Sequence, residues 1–309
     1  MKHQVKAYLA MAIAMTTVGS SFVVGKWILN DFPIYLASGI RYGIAALLLL
    51  VLLYFTEKPF PKISKRDILT LFMLALTGVF GFSVLLLYGL KYTTATESGI
   101  ITSTTPMVIC FISFMFLKEK LSRHQWLGIL LAVCGISVIH LLSGESHEVI
   151  PGVPKWVGTI LIFGAVVGES LFTIFGKVLS GKLSALCIAT FATLIGFFMF
   201  LPFAIYEALS FDFTQPTMTS WLNIIYYAVI VTVVGFVLWY YGVSKVAVST
   251  SAVFTGIIAV SSLLFSYIFL KETIQWGHFV GIACVLFGII ATTRQDKTQL
   301  QEKSPTMKS

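Results

Sequence analysis

The chain has 309 residues, of which 57% are hydrophobic and 11% charged, and its formal net charge is +8. A soluble domain carries about 25% charged residues, so this composition excludes a large soluble core. Apolar runs of about 20 residues recur from end to end and read as membrane spans.

Ten spans are expected, at about 5–27, 33–55, 68–90, 94–117, 123–142, 156–178, 184–206, 219–243, 248–270 and 275–293. The first lies in "MKHQVKAYLAMAIAMTTVGSSFVVGKW". Its apolar run is longer than the ~7–15 residues of a signal-peptide core, so it reads as a retained span. Charged or turn-like breaks such as "EKPFPKISKRD", "KEKLSRH" and "SGESHEVIPGVPK" separate the spans. Connections this short join antiparallel neighbours.

Lys and Arg set the expected orientation. With the N-terminus inside, the inner regions hold 16 of them, from Lys2 to Lys308, and the outer ends hold four: Lys26, Lys91, Lys155 and Lys271. Arg41 falls within a span. Both termini are therefore expected in the cytoplasm, and the positive balance reports loops rather than nucleic acid. The four cysteines (Cys110, Cys134, Cys187 and Cys284) all lie in apolar runs and suggest neither a disulfide framework nor a metal site.

The chain also repeats itself. Residues 88–139 align with 241–292 without a gap, and 13 of 52 positions match. Tyr88-Gly89 meets Tyr241-Gly242, Ser98 meets Ser251, and Thr102 meets Thr255. The corner Phe116-Leu117-Lys118-Glu119 meets Phe269-Leu270-Lys271-Glu272, and Gly128 and Gly135 meet Gly281 and Gly288. Upstream, Gly25-Lys26 meets Gly176-Lys177. Five spans per copy is an odd number, so the second copy enters the membrane upside down. Inverted repeats of this kind build many secondary transporters, with the substrate site near the midplane.

The segments "LASGIRYGIAALLLL", "SGIITSTTPMVICFISFMFLKEKLSRHQWLGILLAVCGISVI" and "TSAVFTGIIAVSSLLFSYIFLKETIQWGHFVGIACVLFGII" resemble the EamA-type branch of the drug/metabolite transporter superfamily. The resemblance covers essentially the whole chain. It implies an all-α integral membrane fold of ten helices in two inverted five-helix repeats, 1–143 and 156–293, followed by a short cytoplasmic tail, 294–309. It also implies export of small metabolites, often amino acids or toxic compounds, from a bacterial plasma membrane. Ala259 stands where the first copy has Pro106, so the second copy is expected to lack that kink.

Candidate transport residues follow. Ser98 and Thr102, and their mates Ser251 and Thr255, are i, i+4 pairs that each share a helix face. Two readings stand for them: a hydroxyl-lined path, or hydroxyls bonded back to their own helices. Pro106 removes a backbone donor and frees a carbonyl nearby. Tyr88, Trp239 and Tyr241 could stack on a solute or simply pack. Glu97, three residues after Thr94, reads as part of a capping box. Glu169 sits roughly 20 Å into the sixth span at 1.5 Å per residue. A carboxylate there usually faces a cavity or a partner, and a low dielectric penalises its charged form, which suits proton exchange. The four-span exporters of the same superfamily use a membrane-embedded Glu. Arg41 is assigned a structural role.

Two functions compete: export of polar metabolites, and proton-coupled export of lipophilic cations. An enzyme is not expected, since the chain has neither H-E-x-x-H nor G-x-S-x-G. No catalytic residue, metal or cofactor is expected. The expected partners are a small-molecule substrate, the lipid bilayer and a second copy of the chain. The inverted repeat makes a direct prediction. Single cysteines placed at Ser122 and at Gln275 should react with an impermeant thiol reagent from opposite sides of the membrane; labelling from one side removes the inverted repeat.

Overall fold

The computed structural model describes residues 2–57, 63–102, 104–117, 154–246, 254–272 and 276–284, with isolated positions at 123, 126–127, 130–131, 134, 251 and 287. Every described element is helical. The helices are α1 (Lys2–Asp31), α2 (Ile34–Thr56), α3 (Lys65–Tyr92), α4 (Ala95–Thr102), α5 (Thr105–Leu117), α6 (Lys155–Leu179), α7 (Ala185–Ala208), α8 (Met218–Lys245), α9 (Gly256–Leu270) and α10 (276–284). Six of them, α1, α2, α3, α6, α7 and α8, are long and apolar enough to cross a bilayer. Apart from isolated positions, the expected fifth span, the corner at Lys118-Glu119 and the end of the tenth span lie outside the described residues. Large apolar side chains such as Phe55, Tyr206, Leu209 and Trp276 stand largely exposed on the flanks, as lipid-facing surfaces do.

Helix starts are written in the sequence. Ser64 opens α3 with a capping box: its hydroxyl accepts from the Asp67 amide at 3.2 Å, and the Ser64 amide donates to Asp67 Oδ2 at 3.3 Å. Thr217, 153 positions later, opens α8 by accepting from the Ser220 amide at 3.3 Å. Ser184 opens α7 in the same way, on the Cys187 amide at 3.0 Å.

Side chains from elsewhere in the chain then complete these ends. Lys182 donates to Asp67 Oδ1 at 2.8 Å, while Ser220 donates to Asp31 Oδ2 at 2.6 Å. Asp31 and Lys182 are 151 positions apart, the offset of the two Gly-Lys pairs. At the start of α2, Glu207 Oε2 accepts from the Leu36 amide at 2.7 Å, and at the start of α7, Glu57 Oε1 accepts from Ser184 Oγ at 2.5 Å. A carboxylate at a helix N-terminus also meets the positive end of the helix dipole.

Two helix pairs from opposite halves of the chain cross antiparallel. Along α2, Gly39 lies on Ala204, Gly43 on Phe197, and the Leu49 carbonyl accepts from Thr190 at 3.4 Å. The numbers rise on α2 as they fall on α7. Between α4 and α9, Gly99 lies on Ser262, and Glu272, just past α9, accepts from the amides of Ala95 and Thr96 at 3.0 Å each. Lys271 precedes it in the left-handed conformation, with φ 52°, and that turn ends α9. The second Lys-Glu corner is therefore a helix cap for α4.

Both α3 and α8 contain a π-helical stretch, Ala75–Gly81 and Tyr227–Val234. These stretches overlap at an offset of 153. π turns inside α-helices are frequent at functional sites. The one in α3 lies against α6, where Gly78 accommodates Phe172 and a Cβ on Gly168 would sit 2.5 Å from the Thr77 carbonyl oxygen. Gly168→Ala should therefore destabilise the fold by about 1–3 kcal/mol through overpacking. Gly181→Ala, whose nearest atom would be 3.9 Å away, should leave the unfolding midpoint in detergent unchanged. Equal midpoints for the two variants would contradict this close seam.

Candidate functional site

The expected fourth span is broken rather than continuous. α4 ends at Thr102 and α5 begins at Thr105, bridged by a tight bond from the Thr104 amide to the Ile101 carbonyl at 3.0 Å. Pro106, the second residue of α5, has no amide to offer the Thr102 carbonyl. The Thr105 hydroxyl takes that place, at 2.6 Å. The carbonyl expected to be free is thus occupied.

The second copy breaks as well, which corrects the expectation drawn from Ala259. Thr255 forms a turn before α9, and the Ile258 amide donates to the Thr255 carbonyl at 3.0 Å. The break comes from tightening to an i−3 bond, for which no proline is needed.

The hydroxyl rows lie in a packing seam. Ser98 donates to the Thr94 carbonyl at 2.7 Å and Thr102 to the Ser98 carbonyl at 2.8 Å. Ser98, Thr102, Ser251 and Thr255 are all fully buried, and none is on the wall of the central cavity. The Glu97 amide donates to Thr94 Oγ1 at 3.0 Å, the capping bond expected from "TATE". The Glu97 carboxylate also accepts from Thr93 at 2.5 Å and lies 3.9 Å from His278.

A cavity of about 60 Å³ sits between the two π stretches, enclosed by α1, α2, α3, α6 and α8. Arg41, Glu169 and Trp239 line it together. Val18, 151 positions before Glu169, also lines it, so the same wall carries one methyl pair and one carboxyl. Tyr88 and Tyr241 are elsewhere: Tyr88 packs edge-on to Tyr35 with Lys91 over its ring, and Tyr241 is half-buried on α8.

Arg41 is buried, with its guanidinium 4.1 Å from the ring centres of both Tyr42 and Tyr227. It donates to Ser83 Oγ at 3.1 Å and to Tyr42 Oη. No carboxylate lies within ion-pair distance of it among the described residues, Glu169 included. Glu169 is buried too, and its Oε2 is 2.8 Å from Thr105 Oγ1. A hydroxyl has one proton to give. Thr105 Oγ1 is within donating distance of both the Thr102 carbonyl and Glu169 Oε2, so its single proton serves one of them at a time. Among the described residues no cluster of metal-ligating side chains occurs.

Sequence reasoning missed Thr105, Tyr42 and Tyr227. Thr105 had a signal: a hydroxyl immediately before a proline is placed to serve the carbonyl that the proline abandons. The two tyrosines had none, because their meeting depends on how α2 crosses α8. Thr105→Val leaves the Thr102 carbonyl without a donor and should cost about 1–3 kcal/mol. Thr105→Ser keeps the hydroxyl and should stay within about 0.5 kcal/mol of the parent, both measured by unfolding in detergent.

The EamA-like transporter family model matches residues 5–141 and again 156–294. The "Uncharacterized transporter YetK" of Bacillus subtilis (strain 168) is 49% identical over 96% of this chain and 89% of its own length. The "Probable terminal-alkyne amino-acid exporter" of Streptantibioticus cattleyicolor is 22% identical over 97% of each chain. A solved crystal structure superposes with a TM-score of 0.65, covering 97% of this chain and 99% of the other at 15% identity, a likeness of fold alone. Multiple apolar helices and transporter relatives make this a multi-pass membrane protein. The chain belongs to the EamA-like transporter family.

Proposed function

We propose that the chain is a secondary transporter that exports small polar metabolites, amino acids or related compounds, across a bacterial plasma membrane by alternating access. The observation that carries this is Arg41 and Glu169 on the wall of one cavity between the two π stretches. A relative whose name describes an amino-acid exporter supports the substrate class.

The same reading takes the ten expected spans as two inverted five-helix repeats, with both termini cytoplasmic. The antiparallel crossings of α2 with α7 and of α4 with α9, and the caps at matched positions, support it. Two such halves can exchange packings, opening the cavity to one side and then the other. The hydroxyl rows of α4 and α9 are the seam along which they slide. Bonded back to their own helix, Ser98 and Thr102 make few demands on the opposite wall.

Glu169 couples the cycle to protons. It holds a proton when the cavity is empty and releases it when a cationic group arrives, so one proton enters for each solute that leaves. Lipophilic cations are the second reading, favoured by Phe172, Phe236 and Trp239 on the cavity wall. Arg41 opposes it, because a monocation there meets a like charge in a low dielectric.

Counterflow of labelled amino acids into proteoliposomes tests the proposal. An imposed pH gradient should drive accumulation, and Glu169→Gln should abolish that drive while leaving solute exchange measurable. Accumulation that persists in Glu169→Gln would remove the proton role, and resistance to quaternary ammonium compounds without amino-acid flux would select the second reading.

A further inference from the structure

Arg41 is charged, buried and incompletely partnered. Among the described residues its Nε has no hydrogen-bond partner, and its hydrogen bonds go to the neutral hydroxyls of Ser83 and Tyr42. Burying a guanidinium without a counterion is costly, and two tyrosine faces return only part of that cost. The rings clamp the plane of the guanidinium but supply no negative charge. They fix its orientation, and an oriented guanidinium is a two-pronged receptor for a carboxylate.

The rest of the wall supplies the other requirements. Glu169 stands on the same cavity but beyond ion-pair distance of Arg41, so the guanidinium and the carboxyl are separate poles rather than a closed pair. Met15, Phe82, Phe172 and Phe236 make the remainder largely apolar. At about 60 Å³ the space is far below the ~300–1,000 Å³ of drug-sized pockets.

We propose that this cavity is a zwitterion site: the solute carboxylate docks on Arg41, its ammonium on Glu169, and a small aliphatic side chain lies against the apolar wall. The assignment rests on the transport reading above for its biological direction but not for its binding chemistry. It makes Arg41 a specificity residue instead of a structural one. A monocation would leave Arg41 unmatched, and a monoanion would leave Glu169 unmatched. Only a solute with both charges satisfies both poles.

Three probes share one carbon skeleton: valine, isobutylamine, which lacks the carboxylate, and isovalerate, which lacks the ammonium. Binding to the purified full-length protein in nanodiscs is read by calorimetry and by the shift in thermal midpoint. Valine should bind at least about tenfold tighter than either single-charge probe, as the loss of one charged hydrogen-bonded contact predicts. In Arg41→Gln the preference of valine over isobutylamine should fall to within about threefold, with Arg41→Lys intermediate because it keeps the charge and loses the fork. Isobutylamine binding as tightly as valine overturns the assignment, as does Arg41→Gln that still discriminates. So does an absence of valine binding up to about 10 mM, above the ordinary range of transporter and enzyme half-saturation. If Arg41→Gln does not fold, the three-probe comparison on the parent protein and on Arg41→Lys decides the matter. Valine that binds but never exchanges in proteoliposomes would leave the site standing and remove the transport reading.

Discussion

A helix that ends or breaks at membrane depth leaves backbone groups that lipid cannot satisfy. This chain satisfies many of them with side chains that come from far away in sequence. Glu207 serves the start of α2, Glu57 the start of α7, Glu272 the start of α4, and Lys177 the end of α8 through the Val243 and Val246 carbonyls at 2.8 Å each. Most of these ties join the first half of the chain to the second. Each half thus completes several helix ends of the other. The repeated Leu-Lys-Glu corner acquires a physical reason in this light: in the described copy its glutamate is a cap for a helix 176 residues away.

The matched ties use different chemistry at the two ends of the bundle. Lys182 with Asp67 is an ion pair, whereas Asp31 with Ser220 is a hydroxyl on a carboxylate. The positions correspond, the charges do not. On the orientation proposed above, the lysine falls on the cytoplasmic face, which gives the positive-inside bias without altering the scaffold. The cavity follows the same logic. Val18 and Glu169, 151 positions apart, face the same space with opposite polarity, and that space holds one carboxyl and one guanidinium.

Much of this architecture is legible in the order of the amino acids. Apolar runs locate the long helices, and the spacing of Ser64 and Asp67 announces a capped start. The depth of Glu169 in its span makes it a cavity group. Arg41 is legible as unusual but reads as structural, because its counterparts, two aromatic faces, leave no charge signature. The hydroxyl rows are ambiguous for a local reason: Ser98 and Thr102 each have a carbonyl four residues back within reach, and α4 packs against α9 one residue from Ser98, where Gly99 meets Ser262. The broken helices are only half legible. Pro106 marks the first break, while the second at Thr255 arises from a tightened turn that residue identity does not announce. The π stretches are not legible at all, since they depend on how Phe172 seats against Gly78.

Those π stretches have a mechanical consequence. A π turn contains one residue more than the α turn it replaces, and the surplus can migrate along a helix without breaking the helix as a whole. Each residue it passes rotates by about 100° around the axis, one residue's share of a 3.6-residue turn. On α8 the surplus begins at Tyr227, one face of the Arg41 clamp. A shift by a single residue would swing that ring off the guanidinium and bring a neighbour round in its place. The helix would act as a ratchet, with the aromatic clamp opening by rotation while both ends of the helix stay anchored in their caps.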